Sequence, residues 1–162
     1  VGLEPAVKPA CAMTRSKVVG VMATERSLAG RKFLSTLERY GQGVEVLKVV
    51  GEGFVEAVEA DAEQEPRTEE LVRRAVEPMI ERGADVIVLG CTHYPFLGDV
   101  IRRVVGDREV AVIDSGEAVE KRVESLLDKF DLRCTEDNSP KLEFLSYADE
   151  EYRSRLERKA LR

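Results

Sequence analysis

The sequence predicts an α/β fold: a parallel β-sheet sandwiched between helices in three layers. Two observations carry that prediction. Short segments that are apolar throughout recur along the chain, as strands buried on both faces require. Between them lie amphipathic segments closed by glycine, as helices are. The resulting order, strand, helix, strand, helix, helix, strand, helix, strand, helix, is that of a sheet wound with right-handed crossovers.

Lys17 to Ala23 reads as the first buried strand, ending in the small residues Ala23 and Thr24. Ser27 to Tyr40 reads as one helix, with Leu28, Phe33, Leu34 and Leu37 apolar and Gly41 as its stop. Val44 to Val50 is a second strand. Phe54 to Ala62 is a short helix with Phe54, Val55 and Val58 on one face. The charged stretch from Asp61 to Arg67 is a linker, and the acidic residues between Glu56 and Glu70 read as a solvated face. Thr68 to Arg82 is a helix that Pro78 is expected to bend or weaken. Asp85 to Gly90 is the strongest strand. Cys91 to Tyr94 is a turn, and Pro95 opens a helix running to Val105. Val110 to Ile113 is a strand and Ser115 to Phe130 a helix. In the tail, Leu142 to Tyr147 is expected as a strand and Asp149 to about Lys159 as a charged helix.

Composition narrows the function. The 162 residues are 43% hydrophobic and 35% charged, with a net charge of −6. That is globular rather than disordered. The acidic balance and the absence of a basic tract argue against nucleic acid as a partner. The longest clean apolar run, Val86 to Leu89, is too short to span a membrane. No basic segment followed by an apolar stretch marks a signal peptide, so the cytoplasm is the expected location. Three cysteines (Cys11, Cys91 and Cys134) at irregular spacing suit reduced thiols. One histidine, His93, excludes a multi-histidine metal site within the chain, and no Cys-x-x-Cys pair replaces it, so no metal is expected.

Ligands of open parallel sheets bind beyond the carboxyl ends of the strands. Three loops there carry suggestive chemistry. In Gly90-Cys91-Thr92-His93-Tyr94-Pro95, Cys91 directly follows the best strand and precedes a helix start whose N–H groups favour a thiolate. His93 is two residues on, placed to exchange a proton. The bland alternative is a small buried cysteine beside a surface histidine. In Ala23-Thr24-Glu25-Arg26-Ser27, the hydroxyls of Thr24 and Ser27 suit either a carboxylate ligand or helix N-capping. Gly51-Glu52-Gly53 lacks both a dinucleotide fingerprint and a phosphate-loop lysine, and reads as a relaxed turn. Glu59, on the helix that follows, is a partly buried acid or a helix-surface glutamate. Cys11 and Cys134 have no supporting neighbours.

The hexapeptide from Gly90 to Pro95 strongly resembles the motif around the second catalytic cysteine of the glutamate racemases. Gly2-Leu3-Glu4-Pro5-Ala6-Val7-Lys8-Pro9-Ala10 resembles the segment shortly after their first. The Ala23-to-Ser27 loop is similar to the family's Ala-Thr-x-Gly-Thr, with Arg26 for Gly and Ser27 for Thr. Phe54 to Glu59 is similar to a segment ending in a functional glutamate, and Ile113-Asp114-Ser115-Gly116 to the strand end that returns to the first domain. The likeness covers Val1 to about Leu127.

The resemblance implies cofactor-independent interconversion of L- and D-glutamate, supplying D-glutamate for bacterial peptidoglycan. It implies two similar α/β domains with the substrate between them, and a homo-oligomer for the complete protein. Cys91 would be one of two thiol bases, assisted by His93 and supported by Glu59. Thr92 and Ser27 would bind the substrate carboxylates, with Thr24 beside them. Residues 14–107 would form the second racemase domain, and 1–13 with 108–162 an incomplete remnant of the first. The family's Asp-Ser-Gly, Pro-Tyr-Gly and Cys-Asn-Thr segments have no counterpart here, and Cys11 lies downstream of where the first cysteine belongs. With Val1 in place of an initiator Met, a C-terminal portion of a longer enzyme, inactive alone, is the expectation. Two alternatives stand beside it: a truncated, non-catalytic relative that binds glutamate or a small anion, and a racemase of aspartate or another amino acid.

Overall fold

The computed structural model describes Val1, residues 4–134 and residues 141–161. Four strands, β1 (Val18–Ala23), β2 (Glu45–Val50), β3 (Val86–Leu89) and β4 (Ala111–Ile113), form one sheet in the order β2-β1-β3-β4. Every pairing is parallel, with Val19 opposite both Val46 and Val86, and Val86 opposite Ala111.

The two-residue period of a strand explains the layers. Val19 and Val21 of β1 and Val86 and Val88 of β3 face a cluster completed by Val7, Ala10 and Phe33. These last come from α1 (Val7–Met13) and α3 (Arg31–Tyr40). Met22, Ile87 and Leu89 point the other way, onto Val72, Val76 and Met79 of α5 (Pro66–Glu81) and Ile101 and Val104 of α6 (Gly98–Val105). Each fully buried Val or Ile contributes roughly 1.5–3 kcal/mol of transfer free energy. Gly20 sits on the α5 face, where an added Cβ would lie 2.4 Å from Met79 Sδ, so α5 rests close on β1.

At the amino edge of the sheet, Asp85 binds the start of β1. Its Oδ1 accepts from Thr14 Oγ1 at 2.6 Å, and its Oδ2 from the N–H groups of Arg15 and Ser16 at 2.7 and 2.9 Å. Burial alone would raise this carboxyl, but those hydrogen bonds hold it down at about 2.

The parallel order and the helix–strand alternation match the expectation; α1 precedes the first expected strand without having been expected, and four expected features differ. The expected helix from Ser27 to Tyr40 is two, α2 (Glu25–Leu28) and α3, because Gly30 is extended at φ −67°, ψ 136°. The helix expected from Pro95 is a 3₁₀ turn, Tyr94–Leu97, followed by α6 from Gly98. The helix at Phe54 ends early: α4 is Phe54–Glu59, closed by Asp61 at φ 56° with Ala62 N–H on Ala57 O at 2.9 Å. The strand expected at Leu142–Tyr147 does not form. Leu142, Leu145 and Tyr147 are exposed, and a lone strand leaves its backbone groups without a ladder. Helix α5, by contrast, runs unbroken through Pro78, which lies on its exposed side where water can reach the carbonyl that Pro78 leaves free.

The elements so far belong to one compact unit, residues 2–117. It takes in α1 and β4 as well as the 14–107 segment. Val1 and residues 118–162 group as a second unit. That unit holds most of α7 (Gly116–Lys129), which buries none of its side chains, and α8 (Glu150–Ala160), capped by Asp149 accepting from Tyr152 N–H at 2.8 Å. Among the described residues no helix is long and apolar enough to cross a membrane.

Candidate active site

Beyond the carboxyl ends of β1, β3 and β4 lies a cavity of about 400 Å³. Its floor is the end of β3: Leu89, Gly90, Cys91 and Thr92. Ser27 of α2 enters from the β1 side, and Asp114, Ser115 and Gly116 from the end of β4. Glu4 and Pro5 close it from the chain's start. This is where a parallel sheet presents a ligand site: strand ends converge, and the loops that leave them have free N–H groups.

Close packing shapes the floor. A Cβ on Gly90 would lie 2.9 Å from Ala23 Cβ, 3.1 Å from Met22 O and 3.3 Å from Pro5 Cγ. Only a glycine lets β3 leave the sheet at this point, and it delivers Cys91 directly to the cavity. The segment at Glu4 is held by Ser115, whose buried hydroxyl donates to Glu4 O. Asp114 Oδ1 accepts from Gly116 N–H at 2.6 Å, fixing the loop after β4.

Of the six residues singled out in the sequence, Cys91, Thr92 and Ser27 line the cavity. Thr24 does not. Its Oγ1 accepts from Ser27 N–H at 3.3 Å, capping α2, and lies 2.9 Å from Ser27 Oγ. Thr24 therefore orients the hydroxyl that reaches the cavity. His93 and Glu59 meet each other beside the cavity, with Nε2 and Oε1 3.4 Å apart. His93 Nδ1 lies 3.4 Å from Thr92 Oγ1. Glu59, Glu59's partner His93 and Thr92 thus form a chain of polar groups leading to the loop of Cys91. The α-helix expected from Pro95 begins only at Gly98, and the turn that follows Cys91 is 3₁₀, with Tyr94 N–H donating to Cys91 O at 3.2 Å.

Tyr94 is wholly buried behind this loop. Its hydroxyl donates to Gly51 O at 3.3 Å, and its ring meets Phe54 edge-on, with centroids 5.1 Å apart. Burial, reinforced by the electrostatic influence of Cys91 and Glu56, pushes the phenol up to about 12. Cys11 is 8% exposed in the core between α1 and the sheet, where burial raises its thiol and favours the neutral form.

Glu4, Pro5, Asp114, Ser115 and Gly116 were not among the residues singled out for the site. The signals available were the position of Asp114 just beyond a strand end and the resemblance of both stretches to family segments; the chemistry of Glu4 and Pro5 alone does not mark a cavity wall, which they reach through tertiary packing. The lining carries two carboxylates and neither Lys nor Arg. Among the described residues no group of three or more His, Cys, Asp or Glu could hold a metal ion.

Comparison with known proteins agrees in sequence and in fold. The family model for Asp/Glu/hydantoin racemases matches residues 1–122. A glutamate racemase of Ectopseudomonas mendocina is 46% identical over 136 residues, 84% of this chain and 51% of the relative. One from Herpetosiphon aurantiacus is 43% identical over 149 residues, 92% of this chain and 58% of the relative. The chain spans about half the length of the curated relatives it matches. Among solved structures, the Escherichia coli glutamate racemase in complex with L-glutamate and the activator UDP-MurNAc-ala superposes with a TM-score of 0.69 at 28% identity. That match covers 79% of this chain and 48% of the other. The Thermus thermophilus glutamate racemase in complex with β-chloro-D-alanine gives 0.73 at 27% identity, over 94% of this chain and 57% of the other.

Proposed function

The chain belongs to the Asp/Glu/hydantoin racemase family, and from that premise we propose that it is the part of a cofactor-independent glutamate racemase that carries one of two thiol bases, Cys91. The observation that carries the reading is the cavity at the strand ends, which brings the Cys91 thiol together with the hydroxyls of Ser27 and Thr92.

Inverting the α-carbon needs a proton taken from one face and another returned to the opposite face. On one face Cys91 acts as thiolate, accepting the α-proton and becoming a thiol. The electron pair of the broken C–H bond passes into the α-carboxylate as a carbanion-like intermediate. A neutral thiol on the other face then protonates the same carbon and becomes a thiolate. For the opposite enantiomer the order reverses, so Cys91 starts as the donor. No redox step is involved. Thr92 and Ser27 hydroxyls hold the substrate carboxylates, where charge accumulates in the transition state. Glu4 and Asp114 complement the α-ammonium. His93, steadied by Glu59, exchanges protons with Cys91.

One thiol serves one face. Cys91 is the cysteine in the cavity lining, and Cys11 packs into the core instead. The reading therefore includes a second thiol supplied by the rest of a complete enzyme, with 14–107 as its second domain and 1–13 and 108–162 completing its first. In that enzyme the reaction supplies D-glutamate to peptidoglycan in the cytoplasm, within a homo-oligomer. The test is to incubate this chain with L- or D-glutamate. Binding that Thr92→Ala and Ser27→Ala each weaken several-fold, without inversion, is the expected result. Two-way racemisation by this chain that Cys91→Ser abolishes would overturn the one-thiol reading.

The same observation favours a second reading, a binding module. A cavity with hydroxyls and a single thiol can hold an amino acid without inverting it. Native polypeptide of 18.1 kDa that binds glutamate, with no partner chain supplying a thiol, would establish that form.

A further inference from the structure

Tyr94 has no part in the proton transfers above, yet it is among the largest wholly buried side chains of the chain, and its one polar atom is spent on a backbone carbonyl. That carbonyl, Gly51 O, accepts twice: from Tyr94 Oη at 3.3 Å and from Phe54 N–H at 3.3 Å. Phe54 is the first residue of α4, and Glu59 is its last. Gly51 is therefore the point from which α4 hangs, and the Tyr94 hydroxyl is what anchors that point to the Cys91 loop. The fit leaves no slack: a Cβ on Gly51 would lie 2.5 Å from Tyr94 Oη and 2.6 Å from Phe54 Cδ2. The Phe54 ring lies edge-on to Tyr94 at 68°, locking the same end of the helix. At the other end of α4, Glu59 Oε1 reaches His93 Nε2 at 3.4 Å, and His93 is the residue directly before Tyr94. One turn of chain thus grips α4 at both ends.

We propose that Tyr94 is the positioning residue of the His93–Glu59 pair: its hydroxyl, bonded to the Gly51 carbonyl, sets the angle at which α4 presents Glu59 to His93. The lever is short and stiff. From Phe54 to Glu59 a helix rises about 8 Å, so a tilt of about 10° at its first residue moves its last by about 1.4 Å. Added to 3.4 Å, that takes the carboxylate out of ion-pair reach. Because burial pushes the phenol up to about 12, it remains a donor at neutral pH. The consequence for catalysis rests on the reading of His93 as the group that serves Cys91; the positioning itself does not.

His93 is the single histidine of the chain, so its imidazole ¹⁵N resonances are assigned without ambiguity. The experiment records them at one pH for the folded wild-type chain and for Glu59→Gln, Tyr94→Phe, Gly51→Ala and Phe33→Leu. Glu59→Gln defines the shift of a broken pair. Tyr94→Phe keeps the ring and its contact with Phe54 and removes only the hydroxyl. Its resonances are expected to move at least halfway to the Glu59→Gln values, and those of Gly51→Ala to follow in the same direction. Phe33→Leu, on the opposite face of the sheet, lowers stability without touching this contact, and its resonances are expected to stay at the wild-type values. Tyr94→Phe resonances that coincide with wild type overturn the proposal, as does an equal displacement in Phe33→Leu. So does a Glu59→Gln spectrum identical to wild type. If Tyr94→Phe does not fold, Gly51→Ala carries the same decision. None of these spectra requires turnover, so failure of the racemase reading and failure of the positioning role are separate results.

Discussion

Replacing Gly90 by alanine tests how the fold delivers its thiol. The added methyl would stand 2.9 Å from Ala23 Cβ and 3.1 Å from Met22 O. Both belong to β1, whose atoms are fixed by sheet pairing, with Gly90 N–H itself bonded to Met22 O at 2.7 Å. Neither neighbour is the free end of a flexible side chain, so relief must come from β3 or the loop after it. Overpacking of this kind costs about 1–3 kcal/mol. At a urea slope of about 2 kcal/mol per molar, a cost of about 2 kcal/mol lowers the midpoint by about 1 M. The displacement falls on Cys91, the next residue, so the rate of its alkylation by iodoacetamide should change in the folded protein. Gly98→Ala is the matched control. It opens α6 with an added Cβ no closer than 3.4 Å to the flexible end of Arg102, so alanine fits there without moving the backbone. A Gly90→Ala protein as stable as wild type, with an unchanged alkylation rate, would refute the argument that close approach at this glycine sets the site.

Three further outcomes follow from the same geometry. Asp85 is held at about 2 in the folded chain, below its ordinary 3.8. Its contribution is therefore complete above about pH 4 and is lost as pH falls toward 2. Full linkage would amount to about 2 kcal/mol, and water at this partly exposed carboxylate reduces it to about 1 kcal/mol. Asp85→Asn should flatten that part of the stability–pH curve, which urea titrations between pH 5 and about pH 2 would measure. Ile87→Ala, wholly buried where β3 faces α5 and α6, should cost about 2–5 kcal/mol, read from the thermal or urea transition. Thr24→Ala removes the cap of α2 and should cost about 1 kcal/mol while weakening glutamate binding through Ser27, whereas Thr24→Ser should restore both.

Much of this architecture was legible in the sequence because strands buried on both faces leave a distinctive record. Val86 to Leu89 is apolar throughout since Val86 and Val88 face one helical layer and Ile87 and Leu89 the other. The site was legible where chemistry is local. Cys91 and Thr92 follow a strand end, and their place in the cavity is what a parallel sheet imposes. Ser27 came with its capping partner Thr24, although sequence alone could not say which hydroxyl would point inward. Glu4 and Pro5 were not legible as cavity lining, because their place depends on the Ser115 hydroxyl more than a hundred residues away. The misplaced strand at Leu142 to Tyr147 shows the converse. Its apolar residues have strand character, but a strand exists only where a neighbour completes its hydrogen bonds, and residues 141–148 have none among the described residues. The break at Gly30 and the 3₁₀ turn at Tyr94 were hidden for a related reason. Each is decided by what the backbone must reach, not by apolar spacing.

The central claim, that Cys91 is one of two bases acting on a single α-carbon, is tested most directly on the polypeptide made from the complete reading frame. It would be incubated with D-glutamate in D₂O, following deuterium at the α-carbon by NMR and configuration by chiral chromatography. Exchange accompanied by inversion in the wild type, and loss of inversion in Cys91→Ser, is the result the account predicts. Inversion that continues undiminished in Cys91→Ser would contradict it.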